Sequence, residues 1–476
     1  MKHWQTKSPQ FIFLSCLLLA VFSLLTSCKK DSFITSGDAK LTTIDEPLKF
    51  DTVFTSVGSI TQSFKINNDN NQKLLLSSVK LMGGAASAYK ININGVAASE
   101  VTNIELAAND SMYVFVSVNI NPNLDNLPFI VKDSILISYN GNSRFVQLEA
   151  FGQNANFLRN RIITGNITWN NNLPYVILDQ LQVDTNSTLT IEPGCRIYCH
   201  ANAPFLVDGT LITNGTKEQP VTFAGDRLDT IYKDLPASWP GIYFRETSKS
   251  NVLNFTSVKN ACQAIVAENL AGNGLPKIIL HQCIIDNAYD AGLLCVNSSL
   301  NADNSLISNC GSNINFFLGG DYNLTNCTVA AYAAFITHKK PVLFVTNFAV
   351  INGATVTASL VANFTNCIFW GEEGIVDDEI IVNQQGTNIV PVKFINCLYR
   401  ATNDPASSTS TIIASIKNQP PLFDSINVSK NIFDFHISNN TAPGFDKGIT
   451  TTFLKDLDNN TRSVGLWPDI GCYEKQ

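Results

Sequence analysis

The chain has 476 residues and a formal net charge of −7, with 45% hydrophobic but only 15% charged residues. That length and apolar content require a folded body of two or three domains and exclude a disordered chain. No Lys/Arg run offsets the acidic balance, so the footprint of a nucleic-acid binder is missing and no nucleic-acid partner is expected.

The first element is a leader. Lys2 and Lys7 precede the apolar run Phe11–Leu25, which is short for a spanning helix and suits a signal segment. Leu25-Thr26-Ser27-Cys28 closes it and resembles the lipobox of bacterial lipoproteins, whose cysteine takes diacylglycerol before the chain is cut. The resemblance implies a signal peptide over 1–27, lipid attachment at Cys28 and a membrane partner reached through that lipid. No Asp follows Cys28 directly, which implies an outer-membrane address; cell surface and periplasmic face both stay open.

Residues 28–46 are polar and without periodicity, and are read as a tether. From Leu48 onward short strands alternate with polar turns. In Ser111–Ile120, Met112, Val114, Val116, Val118 and Ile120 share one face, the pattern of a half-buried strand. Leu48–Phe54, Ile60–Ile66, Leu74–Leu81, Ile130–Tyr139 and Phe145–Phe151 read the same way, with turns at Asn67–Asn71 and Asn140–Asn142. These strands predict a β-sandwich over 47–155. The run Phe50-Asp51-Thr52-Val53-Phe54-Thr55-Ser56-Val57-Gly58 is similar to the opening of Ig-like modules in Bacteroidetes lipoproteins, which makes the sandwich Ig-like by resemblance.

A repeat follows, apolar–x–Asn/Gln–Cys–x–apolar. It occurs around Cys283, Cys327, Cys367 and Cys397, in half form at Cys310, and with Thr256 in the cysteine slot. Most intervals suit one coil of a solenoid; the long step from Cys327 to Cys367 needs an insertion, and the step from Cys310 to Cys327 is short. In such a coil the cysteine is a small buried residue, and the asparagine tolerates left-handed backbone and can bond to the next asparagine. Together with Thr190-Ile191-Glu192-Pro193-Gly194 and Trp239-Pro240-Gly241-Ile242-Tyr243-Phe244, the repeat resembles the right-handed parallel β-helix of the pectin-lyase-like group. Ala442–Gly448 and Pro468–Glu474 are similar to the closing segment of secreted bacterial β-helix proteins. The expected fold is all-β: an Ig-like β-sandwich over 47–155, then a right-handed parallel β-helix over 156–440 with a C-terminal cap over 441–476.

Candidate chemistry is sparse. Cys283, Cys310, Cys327, Cys367 and Cys397 are read as stacked core thiols, and Cys195 and Cys199 as core filling rather than metal ligands with His200. Trp370, Tyr332 and Arg400 follow the ends of motif strands, where outward aromatics could stack on sugar rings. The densest acidic stretch holds Glu372, Glu373, Asp377, Asp378 and Glu379. It is read as a solvated loop; Glu372, Glu373, Asp377 and Asp378 are the one candidate for a Ca²⁺ site, no other cofactor being implied. His338, Lys339 and Lys340 read as a polar turn, with a catalytic base or a substrate contact as the alternatives. No convincing set of polygalacturonase motifs accompanies Asp377-Asp378. The sequence therefore points to a lipid-anchored envelope protein that binds a glycan or surface partner. A polysaccharide lyase or hydrolase and a purely structural or adhesive protein are the alternatives, and fold alone licenses no activity.

Overall fold

The computed structural model describes residues 32–55, 58–121, 129–230, 232–332 and 335–476. The described chain is strand and turn throughout, with two single turns of 3₁₀-helix and no α-helix. It divides into two compact units, the second beginning at Gln153.

The first unit holds two five-stranded sheets around one core. One orders Leu41–Thr42, Gln62–Asn68, Ser111–Val118, Tyr89–Ile93 and Val96–Ala97; the other orders Leu48–Phe54, Asn142–Gln153, Phe129–Tyr139, Leu74–Leu81 and Glu100–Leu106. Alternation in Ser111–Val118 is as read: Met112, Val114, Val116 and Val118 are buried, while Tyr113 and Phe115 are exposed and stack at 5.8 Å. The tether expected over 28–46 needs correction for its described residues, 32–46. Phe33 bridges to Lys73, Leu41–Thr42 pairs with Asn67–Asn68, and Asn140 Nδ2 donates to the carbonyls of Ile34 and Ser36. Ala39 and Leu41 are buried in the core. Their apolar spacing is irregular because they edge a sheet rather than form a long strand, which hides them from a periodicity search.

The second unit is dominated by a 26-stranded parallel sheet, an arrangement consistent with a β-helix. From Tyr175–Val183 to Ala291–Asp303 each strand pairs in parallel with the one three places later, so three strands make one coil. Two long strands, Ala291–Asp303 and Ile314–Thr325, each span two faces of a coil. Inward residues form one continuous apolar core, in which Phe364 stacks on Phe394 at 5.0 Å and meets Phe369 edge-on at 5.3 Å. The long interval between Cys327 and Cys367 carries the hairpin Phe348–Ile351/Ala354–Thr357, which turns at Asn352-Gly353 with positive φ at both residues.

The repeat marks one corner of the coil. Gln282, Asn304, Asn326, Asn366 and Asn396 all have φ between 44° and 53°, the left-handed region that asparagine enters at low cost. Asn366 Nδ2 donates to Asn326 Oδ1 at 2.9 Å, so these two corner amides bond from one coil to the next. The residue after the corner has a task of its own. Thr256 Oγ1, Cys283 Sγ, Ser305 Oγ, Cys327 Sγ, Cys367 Sγ and Cys397 Sγ each donate to the carbonyl two residues earlier. A small buried donor is what the corner requires, and Cys, Ser and Thr all supply it. Strand register gives the cysteine slot of the middle coil to Ser305, aligned between Cys283 and Cys327. Cys310, placed in that slot from sequence, follows the next corner instead, which removes the short interval. Every described cysteine is a free thiol, and burial pushes Cys283 up to about 12 and Cys195 up to about 11.

Candidate functional site

From the coil of Leu306 onward, one face carries apolar residues outward: Leu306, Ala330, Tyr332, Ile368, Trp370 and Leu398. Such a row in water would be costly, and the chain covers it with its own C-terminal segment. Phe435, Leu457, Ile470 and Cys472 pack onto the row as a second core. The corner residues hold the segment down: the Asn366 amide exchanges hydrogen bonds with the backbone of Ile449, the Asn366 carbonyl accepts from Gly471 N, Asn396 Nδ2 donates to the Lys447 carbonyl, and Gln282 Nε2 donates to the Asp456 carbonyl. The segment expected to close the solenoid's open end over 441–476 is a strap along its side. End-of-chain motifs alone could not separate the two, because both need an apolar face and polar clamps.

This strap changes the standing of the predicted ligand residues. Tyr332 and Trp370 are 5% and 3% exposed, beneath Phe423, Phe433 and Phe435 or in contact with their cluster. Neither offers a free ring face to a sugar. The Trp370 indole donates to Glu372 Oε1 at 2.7 Å. Arg400 stands beside Trp370 on the next coil, its backbone N donating to the Phe369 carbonyl, but its guanidinium turns to the Gly371 carbonyl and stands 3.6 Å from Glu379. With both rings covered, the three residues do not present one binding edge.

The acidic stretch also differs from its reading. Glu379 is fully buried: Oε1 lies 2.8 Å from His338 Nε2 and Oε2 accepts from Val342 N. His338 is equally buried, so neither is part of a solvated loop. A Cβ on Gly371 would lie 2.2 Å from Glu379 Oε1 and 2.3 Å from His338 Nε2, which explains glycine there. Asp378 Oδ1 accepts from the backbone of Thr402 and Asn403, which holds its carboxyl below the usual range. With Asp378 turned to the backbone and Glu372 bonded to Trp370, the Ca²⁺ candidates Glu372, Glu373, Asp377 and Asp378 do not converge; no group of three or more His, Cys, Asp or Glu able to hold a metal exists among the described residues. Cys195 and Cys199 face the core, while His200 bonds to Asp226 at 2.7 Å. Cys28 lies outside the described residues. Among the described residues no helix is long and apolar enough to cross a membrane.

Where the strap's cover runs out, a cleft of about 320 Å³ opens. Ile284 and Leu306 line it with Asp286 and Ser308 from the same strands, beside the corner Asn260, Asn287 and Asn309. From the hairpin Phe423–Asn427/Ile432–Ile437 that precedes the strap come Asn431, Phe433 and Phe435, from the strap itself Tyr473, and from neighbouring loops Asp234 and Phe335. Asn260, Asn287 and Asn309 have φ of 60°, 56° and 51° and form a second left-handed corner. Asn287 Nδ2 donates to Asn260 Oδ1 at 2.9 Å and to the Asp234 carbonyl at 2.8 Å. Its Oδ1 is buried and has no partner, a rare and costly state for an amide oxygen. Asp286 Oδ1 accepts from Ser308 Oγ at 2.6 Å. Lys259 brings a cation to the lining. A second, more open cleft of about 530 Å³ lies by Tyr332, Glu372, Glu373 and the stretch Pro420–Ser429.

The sequence held a signal for the first cleft. Lys259-Asn260-Ala261, Asp286-Asn287-Ala288 and Ser308-Asn309-Cys310 repeat polar–Asn–small, coil after coil. Because the third ends in Asn-Cys, it was absorbed into the other repeat.

No family model and no curated protein matches this chain. Among solved structures, a PapD-like domain of human CEP192 is 10% identical at TM-score 0.18, over 27% of this chain and 94% of that one. The VesB protease of Vibrio cholerae is 15% identical at TM-score 0.17, over 28% of this chain and 34% of that one. A family 123 glycoside hydrolase from Clostridium perfringens is 11% identical at TM-score 0.16, over 24% of this chain and 26% of that one. Likeness this slight carries no argument.

Proposed function

We propose that this chain is an exported lipoprotein, lipidated on Cys28 and held at the outer membrane, which binds a saccharide in the cleft between the Asn260–Asn287–Asn309 corner and the strap. In this reading the parallel sheet winds as a right-handed β-helix, and the preceding two-sheet unit is an Ig-like module. The lipobox-like Leu25-Thr26-Ser27-Cys28 supports the address, and the repeat supports the winding.

The observation that carries the binding function is the cleft's lining. Sugars present apolar ring faces edged by hydroxyls, and are met by aromatic rings beside fixed polar groups. Phe335, Phe433 and Tyr473 supply rings; Asp234 and Asp286 supply polar atoms. Catalysis is not part of the proposal, since carboxylates lining a cleft do not by themselves make an acid–base pair.

The test is retention of the full-length protein, purified in detergent, on a panel of neutral and acidic polysaccharides, with chain cleavage scored separately. Phe335 is 45% exposed, so Phe335→Ala should fold normally. Its lost ring contact is worth about 0.5–1.5 kcal/mol, roughly 3- to 10-fold in affinity. Asp286→Ala removes a charged acceptor and should cost about 1.5–3 kcal/mol, roughly 10- to 100-fold. Retention unchanged in both variants would remove the cleft from the function, and cleavage lost with Asp286→Ala would make the protein an enzyme. Cys28→Ser should shift the protein from the membrane fraction to the soluble one.

A further inference from the structure

We infer that the first unit docks on the bilayer through the outward face of the sheet that holds Ser111–Val118, its partner a surface of anionic lipid headgroups; this rests on the reading that Cys28 carries lipid. The face breaks the pattern of its own strand. Outward positions of a half-buried strand are expected to be polar, yet Tyr113 and Phe115 take two successive ones, 45% and 42% exposed, their rings 5.8 Å apart and 20° from parallel. Strand register sets Lys65 opposite Tyr113, and Lys90 opposite Ser117 on the same face. Lys65 Nζ stands 4.9 Å over the Tyr113 ring. Both lysines are exposed, and among the described residues no outward position of the five strands holds a carboxylate. Asp69 and Asp110 belong to the turns beyond the strand ends.

A short leash brings the unit to the membrane. The chain is fixed from Ser32 onward: Gln72 Nε2 donates to Ser32 Oγ at 2.8 Å, Phe33 bridges to Lys73, and Ile34 N donates to the Lys73 carbonyl. Five residue steps separate Phe33 from Cys28. A fully extended chain covers at most about 3.6 Å per step, so Phe33 lies within about 18 Å of a lipidated Cys28. The pinned stretch leads directly into Leu41–Thr42, the edge strand of this same sheet. Charge then selects the face. The other sheet also exposes Phe145, Phe151 and Ile130, but there Lys132 pairs with Glu149 and Lys80 with Glu100. Lys65 and Lys90 are free to meet headgroups, each worth about fivefold near an anionic surface, while Tyr113 and Phe115 suit the boundary between headgroups and acyl chains.

The experiment reconstitutes the full-length protein, purified from membranes, into vesicles of phosphatidylglycerol and phosphatidylcholine. A Cys262→Ser background removes the one described cysteine that is not buried. A fluorophore is placed at Ser63→Cys on this face or at Gln147→Cys on the outward face of the other sheet, both exposed positions, and lipid carrying a headgroup nitroxide quenches it. Quenching should be severalfold stronger at Ser63. Lys65→Ala and Lys90→Ala should each lower the docked-to-undocked ratio about fivefold, and added salt should act in the same direction. Equal quenching at the two sites, or a difference that survives both lysine substitutions and vesicles of pure phosphatidylcholine, would overturn the docking and leave lipidation standing, since lipidation is read separately as co-flotation with the vesicles. Protein that fails to co-float would overturn both.

Discussion

Arg462→Ala is expected to cost about 3–5 kcal/mol, the usual penalty for removing one partner of a buried ion pair. Arg462 belongs to the strap and is buried where the strap meets the coil: its Nε donates to Asn304 Oδ1 at 2.8 Å and its Nη2 to the Gly471 carbonyl at 2.8 Å. Its charge faces Glu474 at 3.5 Å. Asp456, Asp469 and Glu474 are buried around it, and each spends its oxygens on backbone: Glu474 accepts from Asp469 N and Val464 N, Asp469 from Asp446 N and Lys475 N, Asp456 from Glu474 N and Asn460 N. Without the guanidinium these acids stay buried with no cation among them. Burial already raises the carboxyls of Asp469 and Glu474 above their ordinary values. The sign follows: an acid with a raised folded pKa destabilises fully above that value, and the cost fades as pH falls through it and is gone below the unfolded one. The defect of Arg462→Ala should therefore be largest near neutrality and shrink towards pH 4. Denaturant unfolding at the two pH values measures it, and collisional quenching reports Trp370 becoming exposed as the strap lifts. Equal losses at both pH values would mean that the guanidinium acts through packing and hydrogen bonds instead of charge.

The same cluster shows what was legible in the sequence. Pro468-Asp469-Ile470-Gly471-Cys472-Tyr473-Glu474 is recognisable as a closing motif, but its partners Arg462 and Asn304 are far apart in sequence and carry no shared pattern. The all-β character and the coil-to-coil repeat were readable because stacking imposes one requirement on every coil: a left-handed corner, then a small donor. Cys310 went to the wrong slot because Asn-Cys meets that description at either corner, and only register separates Ser305 from Cys310. Tyr332 and Trp370 were read as outward, and they are outward of the coil. What covers them is a segment nearly a hundred residues later whose docking no local pattern encodes. The cleft was hidden for the same reason, since part of its lining comes from these C-terminal segments.

Gly241→Ala is expected to destabilise the protein by at least about 3 kcal/mol, combining a conformation foreign to L-residues with overpacking. Gly241 has φ of 132°, and a Cβ there would lie 1.7 Å from the Gln263 carbonyl oxygen and 2.8 Å from its carbon. Both obstacles are backbone of the next coil, tied to this one through Gln263 N to Pro240 O and Cys262 N to Trp239 O, so no side chain can swing aside. Gly272, with open space around it and no positive φ, is the matched control, and Gly272→Ala should change stability by less than about 0.5 kcal/mol. The defect should reach the cleft without touching it. Trp239 is fully buried and its Nε1 donates to the Lys259 carbonyl at 2.9 Å, immediately before the Asn260 corner. Displacing the Trp239-Pro240-Gly241 turn moves that anchor, and with it the start of the amide row that ends in the unpartnered Asn287 oxygen. Under conditions where Gly241→Ala is still folded, saccharide retention should fall while Gly272→Ala retains wild-type binding. Undiminished retention in folded Gly241→Ala would show that the cleft's geometry is set by the strap rather than by the coils beneath it.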